Sequence, residues 1–220
     1  MKTFAQRRDR PKWDVLKLAL SYELNMKNNS MQEDKQPFFL KGQFLLAMPD
    51  LADPNFSRTV TCISEHTQEG AFGLVINRIS TSITGQDIFD ELKIEYVPGA
   101  ELIPVYIGGP VHTGEIFILH GQPFESESCF MITPFLAMSN TLDMLTAIAS
   151  GKGPKSYIIA LGCAGWGPEQ LEYEIKENSW LTCSVFEDIL FNTAVEARWD
   201  ETAKKMGINP ALLSVTAGHA

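Results

Sequence analysis

The chain has 220 residues, 45% of them hydrophobic and 20% charged, with 18 Lys/Arg against 27 Asp/Glu and a formal net charge of −9. This suits one globular domain, alone or with an extension. No stretch approaches the ~20 apolar residues a membrane helix needs, so a membrane span is not expected.

The charge is unevenly spread. Residues 1–36 carry 8 Lys/Arg against 5 Asp/Glu, a balance of +3, which leaves −12 for residues 37–220. A body this acidic repels phosphate backbones, whose contacts dominate nucleic-acid affinity. Direct nucleic-acid binding by the main domain is therefore not expected. The four cysteines, Cys62, Cys129, Cys163 and Cys183, are scattered without a CxxC pair. They form neither a zinc pattern nor a disulfide framework, and they read as thiols of a reducing cytosol. A cytoplasmic protein with no metal and no cofactor is the expectation.

Residues 1–36 read as an extension. Arg7-Arg8 lacks the apolar segment and cleavage site of an export signal. Trp13, Leu16, Leu20 and Leu24 recur at helical spacing after Pro11 and predict a short amphipathic helix. Asn25 to Gln36 reads as a polar linker, and Met26 and Met31 could serve as alternative starts.

The body, residues 37–220, opens with a buried strand over Phe44–Met48, and PDLADPN follows as a loop. Ser57–Ser64 alternates as a strand, Glu65–Gly70 turns, and Phe72–Asn77 is the next strand. Short connections predict antiparallel pairing here. Ile83–Ile94 reads as a helix with Ile88, Phe89 and Leu92 inward. Pro104–Ile107 is a short strand. Ile116–His120 and Cys129–Thr133 form a second antiparallel pair. Ser139 or Asn140 caps a helix running to Ser150, stopped by Gly151.

The stretch Ser156–Ile175 stands out. Tyr157–Leu161 is a buried strand, Gly162, Gly165 and Gly167 form a turn, and Pro168 and Glu169 suit the first turn of a helix. Valine at Gly165 or Gly167 should then damage folding, whereas Cys163→Ser should be mild. The spacing is neither a dinucleotide fingerprint nor a phosphate loop. Trp180–Ser184 adds a strand, and Phe186–Phe191 and Ala194–Met206 read as helical, ended by Gly207.

GQFLLAMPDLADPNFSRTV, EHTQEGAFGLVINR, PVYIGGPV, LGCAGWGPEQLE and GINPALLSVTAGHA, in that order, resemble the AlgH/YqgE family of bacterial proteins. The likeness runs from about Gly42 to the end. It implies an α/β fold of the α+β type: a single compact domain with a mostly antiparallel, barrel-like sheet flanked by helices. Family members are often labelled transcriptional regulators, and no general catalytic mechanism comes with the resemblance. The sequence departs from the family pattern after His120, where an aspartate-glycine and paired threonines are expected, and at Cys163, where an aromatic residue is common.

Asn55, Arg58, His66, Asn77 and Arg78 lie near the ends of two adjacent predicted strands. If their loops converge with Gly108–Pro110 and Gly162–Gly167, Gly109, Gly165 and Trp166 included, they build a polar, glycine-walled ligand pocket. Equally, they could only satisfy loop backbone groups. Cys163 as a thiol nucleophile and His66 as an acid–base residue are the enzymatic candidates. His112, His120 and His219 lack ligand spacing. Two readings stand: a non-enzymatic regulator acting through a protein or small-ligand contact, or a thiol-dependent or hydrolytic enzyme using Cys163 or His66.

Overall fold

The computed structural model describes residues 39–124 and 129–213. The predicted amphipathic helix of the extension, and Ser214 and His219, lie outside them. Ten strands form one sheet: β1 (Gln43–Ala47), β2 (Val60–Thr67), β3 (Gly70–Val75), β4 (Ile79–Thr84), β5 (Pro104–Ile107), β6 (Val111–His120), β7 (Phe130–Thr133), β8 (Leu136–Ser139), β9 (Tyr157–Trp166) and β10 (Trp180–Ser184). Among the described residues five α-helices accompany them: α1 (Gly85–Leu92), α2 (Leu142–Ala149), α3 (Gln170–Lys176), α4 (Glu187–Phe191) and α5 (Arg198–Lys205). The main path runs β10-β1-β2-β3-β9-β6-β8-β7, with β4 joined through β5 to β9. Every pairing is antiparallel except that of β5 with β9. Among the described residues β10 and β7 end the path unpaired with each other, so the sheet does not close.

The expected α+β class with a mostly antiparallel sheet is what forms. β1, β5 and β10 fall where short apolar runs bounded by turn residues predict them. β2 does not alternate between buried and exposed: Val60, Thr61, Cys62, Ile63 and Ser64 are all fully buried, because both faces of the sheet are covered there. On one face Leu45, Ala47, Ile63, Ala71, Ala164, Trp166 and Trp180 form a cluster with Leu171 of α3. Another cluster joins Ile88 and Phe89 of α1, Leu145 and Ile148 of α2, and Val105, Ile118, Ile159 and Leu161 of the sheet.

Several expectations are corrected. Ile116–His120 and the 129–133 segment do not pair; β8 inserts between β6 and β7. β4 has no apolar pattern to announce it, being a Ser/Thr-rich edge strand held by β5. Leu92 is 40% exposed rather than inward, since α1 ends there and the chain turns through left-handed Lys93. The N-cap of α2 is Thr141, whose Oγ1 accepts from the Met144 N–H at 3.3 Å, not Ser139 or Asn140. Ser139 is the last residue of β8 instead.

The largest correction concerns the glycine-rich segment. β9 does not end at Leu161; it continues through Gly162 to Trp166. Two different strands lie along the same edge of it in turn. Val105–Ile107 of β5 pairs with Ile159–Leu161, and Ala71–Gly73 of β3 pairs with Ala164–Trp166. β6 holds the opposite edge. The exchange of partners happens at Gly162, whose φ of 71° lies in the left-handed region. A Cβ there would sit 2.5 Å from the Gly109 carbonyl oxygen. At Gly165 a Cβ would meet only Val111 Cγ2 at 3.8 Å, ordinary contact, and at Gly167 only Gln170 Oε1 at 3.8 Å. The helix starts at Gln170, after left-handed Glu169, not at Pro168.

The constrained glycine is therefore Gly162. Gly162→Ala is expected to lose on the order of 3 kcal/mol, from left-handed strain plus a clash with immovable backbone. Gly165→Ala is expected to change stability by less than about 1 kcal/mol. Chemical denaturation of both variants checks this, and equal losses would refute it.

Candidate functional site

The structure divides the expected site residues between two places. Arg58, Asn77 and Arg78 gather where β2 begins and β3 has ended, with Asn55 in the same loop. Asn77 bridges the two strands: its Oδ1 accepts from the Val60 N–H at 2.8 Å and its Nδ2 donates to the Arg58 carbonyl at 2.9 Å. Arg78 Nη2 donates to the Pro54 and Ser57 carbonyls at 3.0 and 2.9 Å. The backbone N–H of Asn55 donates to Asp53 Oδ1 at 2.8 Å. These groups close the 53–59 loop by satisfying its backbone, the plainer of the two roles the sequence allowed.

Arg58 differs from its neighbours. Its backbone is left-handed, at φ 53°, yet its side chain is 57% exposed. Its guanidinium lies 4.2 Å from the ring centroid of buried Trp199, and its Nη2 donates to Asp200 Oδ1 at 2.9 Å. The side chain is thus held flat against α5 at the surface.

His66 is elsewhere. It sits six residues along β2 from Val60, roughly 20 Å at the rise of an extended strand. Its Nδ1 accepts from the Leu40 N–H at 3.0 Å, which leaves the proton on Nε2, facing Glu172 Oε1 at 3.0 Å. The ring is 3% exposed with Phe39 edge-on at 5.8 Å. Both nitrogens are engaged, so no lone pair is left to accept a proton from a substrate.

Trp166 lies in line with His66, through Ala71 of β3. Glu174 Oε2 accepts from both Trp166 Nε1, at 2.9 Å, and Trp180 Nε1, at 2.8 Å. Phe56 stacks on Trp166 with centroids 6.0 Å apart. His66 and Trp166 are therefore brought together, but as two anchors of α3, one through Glu172 and one through Glu174. Gly109 packs against the Cys163 backbone and Gly165 faces Val111. The single pocket expected from Asn55, Arg58, His66, Asn77, Arg78, Gly109, Gly165 and Trp166 does not assemble.

Cys163 is 1% exposed, and burial, with Glu115 adding to it, pushes its thiol up to about 12. It stays protonated at neutral pH and is a poor nucleophile. Burial likewise drives Cys62 to about 12 and Cys183 to about 11. A half-open cleft of about 310 Å³ is lined by Tyr106, Lys155, Tyr157 and Asn192 among others, and none of the expected residues reaches it. Among the described residues no group of His, Cys, Asp and Glu is arranged to hold a metal ion. No helix there is long and apolar enough to cross a membrane.

One polar cluster was not legible in the sequence. His120, at the end of β6, is fully buried; its Nδ1 lies 2.8 Å from the Gly121 carbonyl. A carbonyl only accepts, so Nδ1 carries the proton and Nε2 offers its lone pair. That lone pair faces Ser139 Oγ at 3.0 Å and Cys129 Sγ at 3.2 Å. Ser139 is 2% exposed, and its Oγ lies 3.6 Å from the Cys129 sulfur as donor. Burial lowers the His120 pKa from its ordinary value, while the bond to the Gly121 carbonyl works the other way. The spacing of 120, 129 and 139 follows no motif, because it is set by β8 lying between β6 and β7.

For the loop-closing group, Asn77→Ala leaves a buried Val60 N–H and the Arg58 carbonyl without their partner. A loss of roughly 1–3 kcal/mol is expected, or a fall in melting temperature of several degrees. Asn55→Ala removes no side-chain bond of this loop and should melt near wild type. Calorimetry distinguishes the two, and indistinguishable melting points would contradict this account of the loop.

The comparisons with known proteins agree with the fold. The family profile described as DUF179, AlgH-like, matches residues 44–211. A UPF0301 protein of Desulforapulum autotrophicum is 49% identical over 174 residues, covering 79% of this chain and 92% of that protein. One from Pseudomonas fluorescens is 46% identical over 186 residues, 84% of this chain and 97% of that one. The solution structure of the AlgH protein of Pseudomonas aeruginosa superposes with a TM-score of 0.68 at 43% identity, over 86% of this chain and all of that one. A Corynebacterium diphtheriae protein, DIP2367, shares the fold at 20% identity and a TM-score of 0.63. The chain belongs to the AlgH-like family.

Proposed function

We propose that this protein works by contact rather than by turnover. It is a cytosolic, non-enzymatic regulatory protein of the AlgH type, whose effect on transcription is indirect and runs through a protein or small-ligand partner. The balance of −12 on residues 37–220 supports an indirect effect, because little counterion release is available for gripping a duplex. The engagement of His66 and the burial of Cys163 remove the support for turnover by those two residues.

The observation that carries this reading is Arg58. A left-handed, non-glycine residue stores on the order of 1–3 kcal/mol of strain, and the Asn77–Arg58 bond holds it in place. The result is an exposed guanidinium pre-positioned over a fixed indole. Arginine is among the residues that dominate the energetics of contact surfaces, and a side chain ordered in advance loses little entropy on binding. We assign the contact surface to this corner, with Arg58 as anchor and exposed Asn55 beside it. The partner group that fits is a carboxylate able to displace Asp200.

Affinity capture from native lysate with the full chain tests this. A partner retained by the wild type and lost by Arg58→Ala is expected, with the variant still melting cooperatively. Undiminished capture by Arg58→Ala would overturn the surface. Sequence-specific, sub-micromolar binding of duplex DNA by the full chain near physiological salt would overturn the indirect mode.

A further inference from the structure

We propose that Cys129 is a thiol–disulfide exchange site. His120 acts as its proton acceptor and Ser139 as hydrogen-bond donor to its sulfur, and the site takes a small disulfide to form a mixed disulfide.

The three side chains come from three places: the end of β6, the end of β8 and the residue that precedes β7. The registers explain their meeting. Ile118 pairs with Ser139, which makes His120 the diagonal neighbour of Ser139 on one face; Phe130 pairs with Met138, which sets Cys129 beside Ser139. The Nε2 lone pair of His120 faces two donors, Ser139 Oγ at 3.0 Å and Cys129 Sγ at 3.2 Å, and Ser139 Oγ also lies 3.6 Å from the sulfur. When the Ser139 O–H donates to the sulfur, the Cys129 S–H is left to donate to Nε2, while the His120 Nδ1–H donates to the Gly121 carbonyl. In that arrangement each donor has an acceptor, the chain ends on backbone, and the imidazole lone pair serves the thiol.

The arrangement matches what the exchange requires. The thiolate is the nucleophile, and it needs a nearby acceptor for its proton and a donor to steady its charge. Cys129 is half-buried, while His120 and Ser139 beside it are enclosed. Phe124 lies 5.9 Å from the imidazole, ring centroid to ring centroid. In the step itself the Cys129 proton passes to His120 Nε2, and Sγ attacks one sulfur of the small disulfide. The new S–S bond forms as the old one breaks. The departing thiolate takes the proton from Nε2 and leaves as a thiol. One disulfide is consumed, one mixed disulfide and one thiol are formed, and no other oxidant is needed.

The same structure predicts selectivity. Cys62 and Cys163 are enclosed in the sheet, and Cys183 of β10 has no such partner among its described contacts; burial disfavours the thiolate of all three. Modification should therefore stop at one equivalent.

The test uses the full chain and two probes, dithiobis(nitrobenzoate) and oxidised glutathione, read by absorbance and by intact and peptide mass. One rapid adduct on Cys129 is expected with each, and none at that rate in Cys129→Ser. Between pH 7 and 8 an unassisted thiol of pKa near 8.5 accelerates about eightfold, whereas the wild type should accelerate less than about threefold. Ser139→Ala should react several-fold more slowly, and His120→Gln should regain the steep pH profile. If His120→Gln fails to fold, the wild-type profile and Ser139→Ala still decide. A first adduct on another cysteine would overturn the proposal. So would a native chain that does not react, or a Cys129 whose rate and pH profile match those of a free small thiol.

Discussion

The backbone contact between Gly109 and Gly162 is what the rest of the molecule depends on. Two chain segments approach so closely there that no side chain fits on Gly162. The left-handed turn of β9 at that residue hands one of its edges from β5 to β3 while β6 keeps the other. Hydrogen bonds seal the exchange on both sides: the Gly108 N–H donates to the Leu161 carbonyl and the Val75 N–H to the Gly108 carbonyl, each at 2.8 Å. One strand thereby belongs to two packing arrangements. Ile159 and Leu161 face the cluster under α1 and α2, and Ala164 and Trp166 face the cluster under α3.

What hangs on either side of that strand follows from it. On one side α3 is tied down by two glutamates, Glu172 to His66 and Glu174 to two indoles, so a polar residue type that looked catalytic is a fastening. Removing a shared acceptor such as Glu174 would strand two indole donors, and each unsatisfied donor costs about 1–3 kcal/mol. Beyond β2, the loop closed by Asn77 and Arg78 displays Arg58. On the other side β6 carries His120 to the edge of the sheet, where β8 and β7 bring Ser139 and Cys129 to it. The two functional candidates therefore sit in different parts of the sheet and use no common residue.

Much of the fold was legible in the sequence, for reasons that can be named. β1, β5 and β10 are short apolar runs between turn residues, and α2, α4 and the residues leading into α5 follow helical spacing. β4 was not legible, because ISTSIT is half-exposed and its pairing comes from β5, twenty-odd residues later. β8 was not legible either, since four residues after a tight turn carry no periodicity of their own. The glycines of 162–167 looked alike in sequence; only the neighbours decide that Gly162 is crowded and Gly165 is open. The structure gathers Arg58, Asn77 and Arg78 at one end of β2 and leaves His66 at the other, since a strand of eight residues separates its ends widely. The His120 cluster was invisible because strand order, not spacing, creates it.

β9 makes one cooperative body of the two halves of the sheet. Native-state amide hydrogen exchange in rising denaturant checks this, by comparing Cys62 and Leu74 on one side with Val105 and Ile118 on the other. The account predicts that the most protected amides of both sides converge on a single opening free energy, that of global unfolding. If the β5–β6–β8 side opens at a distinctly lower free energy while β1–β2–β3 stays protected, the shared strand does not couple the halves and the account is wrong.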